Sequence, residues 1–246
     1  MKKTARKSSE KSVSSLHNGS RDATGLIYLF TGDGKGKTSA ALGTAARALG
    51  NGWHVVWIAF YKEASWGMSE YEIPSLLSPK HRGRFQMYLL GRGFYIRNPE
   101  LEVSGSVKVA SISGGAKVID DDTPDVHREA AQAALAKARE VLAASSATEV
   151  EVDAAEVTDA ADVTAVAAAP RPQVLILDEI CNAVSDGLVE EQQLFDVLDL
   201  RGPTHVVLTG RSASAELQKK CDLVSEIMNR KHPYDSGQLA VKGLDY

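Results

Sequence analysis

Thr31-Gly32-Asp33-Gly34-Lys35-Gly36-Lys37-Thr38 is the stretch on which the reading of this chain turns. Ahead of it, Leu26-Ile27-Tyr28-Leu29-Phe30 is a continuous apolar run, the pattern of a buried strand. Behind it, Ser39 to Leu49 repeats small and apolar residues (Ala41, Leu42, Ala45, Ala46, Leu49) at helical spacing, and Gly50 and Gly52 supply a stop. Strand, glycine-rich loop and helix in that order are the context a phosphate-binding loop requires. Gly32, Gly34 and Gly36 let successive backbone N–H groups turn inward, and the helix N-terminus adds the positive end of its dipole. Lys37 then reaches phosphate oxygens, and the Thr38 hydroxyl can ligate magnesium. The strict pattern G-x-x-x-x-G-K-[ST] is met except at its first position, which is Thr31.

A second motif lies far downstream. Val174-Leu175-Ile176-Leu177 ends in Asp178-Glu179, the Walker B pattern in which a buried strand delivers carboxylates beside the phosphates. One carboxylate can hold magnesium, directly or through water, while the other orients a reactant. His205-Val206-Val207-Leu208-Thr209 is a further strand followed by Gly210-Arg211-Ser212, which places Arg211 at a strand's carboxyl end and hence near a nucleotide in an open parallel sheet.

Between and around these motifs the chain alternates in type. Trp53 to Phe60 is nearly all apolar, as suits a parallel strand covered on both faces. Residues 61–84 are mixed and carry the basic cluster Lys80, His81, Arg82 and Arg84, read as a solvated turn. Phe85 to Leu90 is a strand ending at Gly91-Arg92-Gly93-Phe94-Tyr95, where two glycines precede aromatics. Val107 to Ile112 and Val118-Ile119 flank Gly114-Gly115, a hairpin signal within the excursion at 97–122. Thr123-Pro124-Asp125 opens a helix to about Ala143, with Val126, Ala130, Ala134, Ala138 and Val141 expected on its buried side. Residues 144–170 hold six acidic residues and no Lys or Arg, the composition of an acidic linker. Val189–Leu200 is an amphipathic helix bearing Leu194, Val197 and Leu198; Ser214–Cys221 reads as helix and Leu223–Met228 as strand. The expected fold is α/β and RecA-like: a central, mostly parallel sheet with helices on both faces, plus a small hairpin excursion.

Composition bounds the partners. The 246 residues are 43% hydrophobic and 24% charged, an ordinary globular balance, and the net charge of −4 argues against a general nucleic-acid surface. Residues 1–24, with Lys2, Lys3, Arg6, Lys7, Lys11 and Arg21 among serines, read as a disordered basic tail without a signal-peptide core. No run of apolar residues is long enough to span a bilayer, so no membrane partner and a cytoplasmic location are expected. Cys181 and Cys221 form no C-x-x-C motif and suggest buried thiols in a reducing compartment.

Taken together, the phosphate loop with its continuation to Ala48, Leu177-Asp178-Glu179, Thr209-Gly210-Arg211, and the ending Lys231-His232 through Asp235, Gly237 and Gly243-Leu244-Asp245-Tyr246 resemble the ATP:corrinoid adenosyltransferases of the CobA/BtuR type. The resemblance covers roughly residues 25–95 and 173–246, within a single domain expected at 25–246. It implies that a Co(I) corrinoid attacks the 5′ carbon of ATP, the adenosyl group moves to cobalt, and triphosphate leaves. It implies Mg2+ or Mn2+ as cofactor, held by Thr38, Asp178 and Glu179, with Lys37 and Glu179 as catalytic groups. Gly32, Asp33, Gly34, Lys35, Gly36, Lys37, Thr38, Ser39 and Arg211 would bind the nucleotide, and Phe94 and Ile96 would meet the corrinoid. The expected partners are an electron-donating reductase and a second copy of the chain. One departure stands out: the family's Gly-Phe-Thr-Trp motif is here Gly93-Phe94-Tyr95-Ile96, with Ile at the Trp position. A nucleoside kinase or ATPase on the same core, and a non-catalytic carrier of ATP and corrinoid, are the alternatives left open.

Overall fold

The computed structural model describes residues 24–63, 66–93, 95, 101–102, 108–111, 117–120, 122–144, 172–238 and 240–244. The expected tail up to residue 23, the acidic stretch 145–170, Phe94 and Ile96 lie outside the described residues. In chain order come β1 (Ile27–Thr31), α1 (Lys37–Gly50), β2 (Val55–Ala59), α2 (Ile73–Leu76), α3 (Pro79–Arg82) and β3 (Phe85–Leu89). They are followed by β4 (Leu101–Glu102), β5 (Lys108–Ser111), β6 (Lys117–Asp120) and α4 (Pro124–Ala144). The last part of the chain holds β7 (Val174–Asp178), α5 (Ile180–Ser185), α6 (Glu191–Leu198), β8 (His205–Thr209), α7 (Ala215–Lys220) and β9 (Leu223–Glu226).

Six strands form one sheet in the order β3-β2-β7-β8-β1-β9, and every pairing in it is parallel. The apolar runs follow from burial on both faces, with successive side chains on opposite sides. Val55, Trp57, Ala59, Val174, Ile176 and Val207 pack under α1 through Ala41, Ala45, Ala48 and Leu49. Val56, Ile58, Leu175, Leu177, Val206 and Leu208 face the opposite layer, which α4, α5, α6 and α7 provide. Each large side chain so buried contributes about 1.5–3 kcal/mol. Of the hairpin expected at 107–119, the two strands are present as β5 paired antiparallel with β6, with β4 as a third short strand, while Gly114 and Gly115 lie outside the described residues.

Two expectations need correction in detail. The buried side of α4 is carried by His127, Ala131, Ala134, Leu135, Ala138 and Leu142, whereas Val126, Ala130 and Val141 are only partly covered. An alanine-rich helix offers little contrast between faces, so its periodicity left the stripe misplaced by about one position. The short helix α5 immediately follows the Walker B carboxylates, where no element was expected. Thr123 does begin α4 as expected: its carbonyl accepts from His127 N and its hydroxyl from Val126 N. Among the described residues no helix is long and apolar enough to cross a membrane.

Candidate active site

The carboxyl ends of β7, β8 and β1, adjacent in that order, meet on one crest of the parallel sheet, the end at which α/β ligand sites form. The loop after β1 is held from behind by the extension of β9. Ile227 N donates to Thr31 O at 2.8 Å, and Gly34 N donates to Ile227 O at 2.7 Å. A Cβ at Gly34 would stand 2.7 Å from Ile227 O and from the Met228 backbone, so only glycine lets the loop lie this close. Helix α1 begins directly after the loop, and its N-cap, Gly36, supplies no side-chain cap. Its first N–H groups thus remain available to an anion.

Lys37 is half-buried and donates from Nζ to Gly32 O and Gly34 O, both at 2.7 Å, closing the loop on itself. Burial first, then the Arg211 guanidinium, lowers its pKa below the usual lysine value. Thr38 Oγ1 donates to Asp178 Oδ1 at 3.1 Å. Thr209 Oγ1 donates to the same oxygen at 2.7 Å and accepts from Glu179 N at 2.8 Å. Glu179 thereby sits in the left-handed region, φ 65°, at the start of α5. Such a conformation costs a non-glycine residue of order 1–3 kcal/mol and persists where surrounding bonds impose it.

Asp178 is fully buried, and Lys62 Nζ forms an ion pair with its Oδ2 at 2.9 Å, although among the described residues no hydrogen bond of good geometry reaches that oxygen. The same ammonium donates to Glu70 Oε1 at 2.9 Å. Burial alone would lower the Lys62 pKa, but the Asp178 and Glu70 carboxylates outweigh it and raise it, so the side chain stays charged. Glu179 is partly exposed, yet enough protein surrounds its carboxyl that burial, and next the Asp178 charge, push it up to about 7.

Of the residues expected at this site, Gly32, Gly34, Gly36, Lys37, Thr38, Asp178 and Glu179 converge. Asp33 and Arg211 are exposed and lie 3.6 Å apart as an ion pair, while Arg211 N donates to Asn182 Oδ1 at 2.7 Å. Lys35 and Ser39 are exposed on the loop and the first turn of α1. Lys62, Glu70 and the bridging hydroxyl of Thr209 were not among the expected site residues. The signal for the first was a lysine directly after an apolar strand, in Phe60-Tyr61-Lys62.

Two hard carboxylates and a hydroxyl beside a phosphate loop are the donor types a magnesium ion takes when phosphates complete its shell. Among the described residues there is no cluster of three or more His, Cys, Asp or Glu side chains that would cage a metal by itself. The raised Glu179 pKa fits the same picture, since a cation between crowded carboxylates relieves their repulsion.

A phosphate loop closed by its own lysine, with its threonine bonded to the Walker B aspartate on a parallel sheet, defines a P-loop nucleotide-binding protein. Residues 23–246 match the family model described as ATP:corrinoid adenosyltransferase BtuR/CobO/CobP, and the chain belongs to that family. It is 27% identical over 227 residues to the corrinoid adenosyltransferase CobA of Salmonella typhimurium, covering 92% of this chain and 88% of that protein. The corrinoid adenosyltransferase of Escherichia coli K12 is 29% identical over the same shares. That of Pseudomonas aeruginosa is 28% identical, with 92% and 86% covered.

Proposed function

We propose that the chain transfers the 5′-deoxyadenosyl group of ATP to the cobalt of a Co(I) corrinoid and releases triphosphate. The observation that carries this reading is the phosphate loop with Lys37 and Thr38 set against Asp178 and Glu179, in a chain of the corrinoid adenosyltransferase family. The electron pair of Co(I) forms the bond to C5′, the C5′–O bond breaks, and its electrons leave with triphosphate, so cobalt ends as Co(III). No protein nucleophile is needed. The chain must hold the triphosphate and stabilise the charge that grows on it as it leaves.

The backbone amides of residues 32–37 and the free N–H groups of α1 cradle the phosphates. Lys37 exchanges its two loop carbonyls for phosphate oxygens, a move aided by the half-buried setting of its ammonium. Thr38 and Glu179 are the residues that would hold a divalent cation, with Asp178 behind them accepting the Thr38 proton. Bound there, Mg2+ or Mn2+ would neutralise part of the triphosphate charge. Arg211, at the end of β8, adds a cation beside Asp33 at the loop. Phe94 and Ile96 remain the candidate corrinoid contacts on the strength of the resemblance. The free thiols of Cys181 and Cys221 support a reducing, cytoplasmic compartment, and Co(I) requires an electron donor, hence a reductase partner.

The test is product analysis with ATP, Mg2+ and cob(I)alamin prepared by chemical reduction. Adenosylated corrinoid and triphosphate in equal amounts are expected. ADP or phosphate as the corrinoid-dependent product would overturn the reading in favour of a kinase or ATPase.

A further inference from the structure

We infer that Lys62 is a positioning residue that joins the nucleotide site to the neighbouring crest of the sheet, where the second substrate must sit. The inference rests on the two-substrate reaction proposed above. Strand β7, which carries Asp178, has β8 on one side and β2 on the other. The phosphate loop and Thr209 occupy the β8 and β1 side. The carboxyl ends of β2 and β3 belong to the same crest, beyond the point between β2 and β7 where the strand order reverses, and ligands of a parallel sheet bind at such a point. Lys62 follows β2 and reaches back across to Asp178, so its ion pair crosses the boundary between the two halves.

Its two contacts do different work. Through Asp178 Oδ2 the ammonium fixes a carboxylate whose other oxygen takes the Thr38 proton, which leaves the Thr38 lone pairs facing the phosphates. Through Glu70 it anchors the 3-10 turn Ser69–Glu72, and Tyr71 Oη of that turn donates to Glu63 O at 2.7 Å. The anchored segment is in turn fastened to the loop after β3. Gly91 N donates to Lys62 O at 3.1 Å and Gly93 N to Tyr61 O at 2.9 Å, while a Cβ at Gly93 would meet Trp66 Cζ2 at 3.3 Å. Glu70 and Lys62 are both buried, so the charges have no solvent to screen them and the geometry is imposed by the pairing.

The two arms can be separated. MgATP affinity is measured by calorimetry without corrinoid, and the corrinoid KM and kcat with cob(I)alamin. Lys62→Met should weaken MgATP by more than about tenfold, because it strips the buried Asp178 of its counter-ion. Lys62→Arg, which restores the charge, should recover affinity to within about threefold of wild type. Glu70→Gln keeps shape and leaves the Asp178 arm intact; it should leave MgATP affinity within about twofold and raise the corrinoid KM at least about fivefold, with kcat little changed. Unchanged MgATP affinity in Lys62→Met, or equal effects of Glu70→Gln on both substrates, would overturn the inference. So would a Glu70→Gln enzyme identical to wild type. If Lys62→Met does not fold, Lys62→Arg and Glu70→Gln decide: the nucleotide-neutral, corrinoid-selective result supports the inference and any other pattern overturns it. A wild-type protein that binds MgATP yet forms no adenosylated corrinoid defeats the functional proposal alone, and the MgATP measurements still judge the Lys62–Asp178 arm.

Discussion

Thr38 Oγ1 lies 3.1 Å from Asp178 Oδ1, joining two residues 140 positions apart. Thr38 lies in the first turn of α1, directly after the loop that follows β1, while Asp178 ends β7; β1 and β7 are not neighbours, because β8 runs between them. The bond therefore reaches over the end of β8, where Thr209 adds a second hydroxyl to the same carboxylate oxygen. An Asp178 oxygen that accepts from both hydroxyls orients each of them, so the phosphate loop and the Walker B strand are set as one unit.

Thr209→Val keeps the shape of the side chain but removes both bonds of its hydroxyl. Asp178 Oδ1 loses one donor, and Glu179 N loses its acceptor in a left-handed backbone. A buried polar group left unpaired costs about 1–3 kcal/mol. Urea unfolding should show a loss of that size, and turnover should fall with it. A variant as stable as wild type would show that the bridge contributes no net energy.

Lys37→Ala removes a charge aimed at the phosphates but only two loop hydrogen bonds from the resting fold. Stability should fall by no more than about 1 kcal/mol per bond. Turnover should drop about 10²- to 10³-fold, the range seen when a preorganised charge-stabilising donor is deleted. Near-normal kcat would take the phosphate loop out of the mechanism.

Two glycine replacements should move stability in opposite directions. At Gly34 a methyl group meets Ile227 O and the Met228 backbone at 2.7 Å, so the β9 extension must shift. Overpacking of this kind costs about 1–3 kcal/mol, and Gly34→Ala should also lose ATP binding. Gly43, in the exposed face of α1, has nothing among the described residues within 4 Å of an added Cβ. Gly43→Ala should raise stability by about 0.5–1 kcal/mol. Thermal melts of both variants check the pair.

Alkaline pH should weaken the fold through its two thiols. Burial pushes Cys181 up to about 12, and burial with the Asp222 charge pushes Cys221 up to about 11. The unfolded chain ionises its thiols near 9, so above that pH it holds fewer protons than the native state. Stability from this source is present below pH 9 and declines as pH rises from 9 towards 11 and 12. Urea midpoints at pH 8 and pH 10 should show the decline, and Cys221→Ala should reduce it. An unchanged slope in that variant would mean that Cys221 is not responsible.

The phosphate loop, the Walker B acids and all six strands of the main sheet were legible because their signals are local: an apolar run, a glycine spacing, a pair of acids. Lys62 was not. After an apolar strand, a lysine looks like the first solvated residue of a loop, and only the parallel pairing of β2 with β7 brings it to Asp178. Thr209 was visible as part of Thr209-Gly210-Arg211, but its hydroxyl bridge depends on β8 lying next to β7. The face of α4 was blurred for a different reason, since Ala131, Ala134 and Ala138 look no more apolar than the alanines on its exposed side.

The place of β1 in the sheet also bears on how the chain is made. Both of its neighbours come from the end of the sequence: Ile27 pairs with Val206, and Tyr28 with Leu223. As the polypeptide leaves the ribosome, β2 and β3 can pair early, but β1 waits with both edges bare until β8 and β9 have been synthesised. Sequence-distant pairing of this sort slows folding, and a bare strand edge invites association with other chains. A product that stops short of β8 would therefore carry the Gly32–Thr38 sequence with neither neighbour of β1 in place to hold the loop.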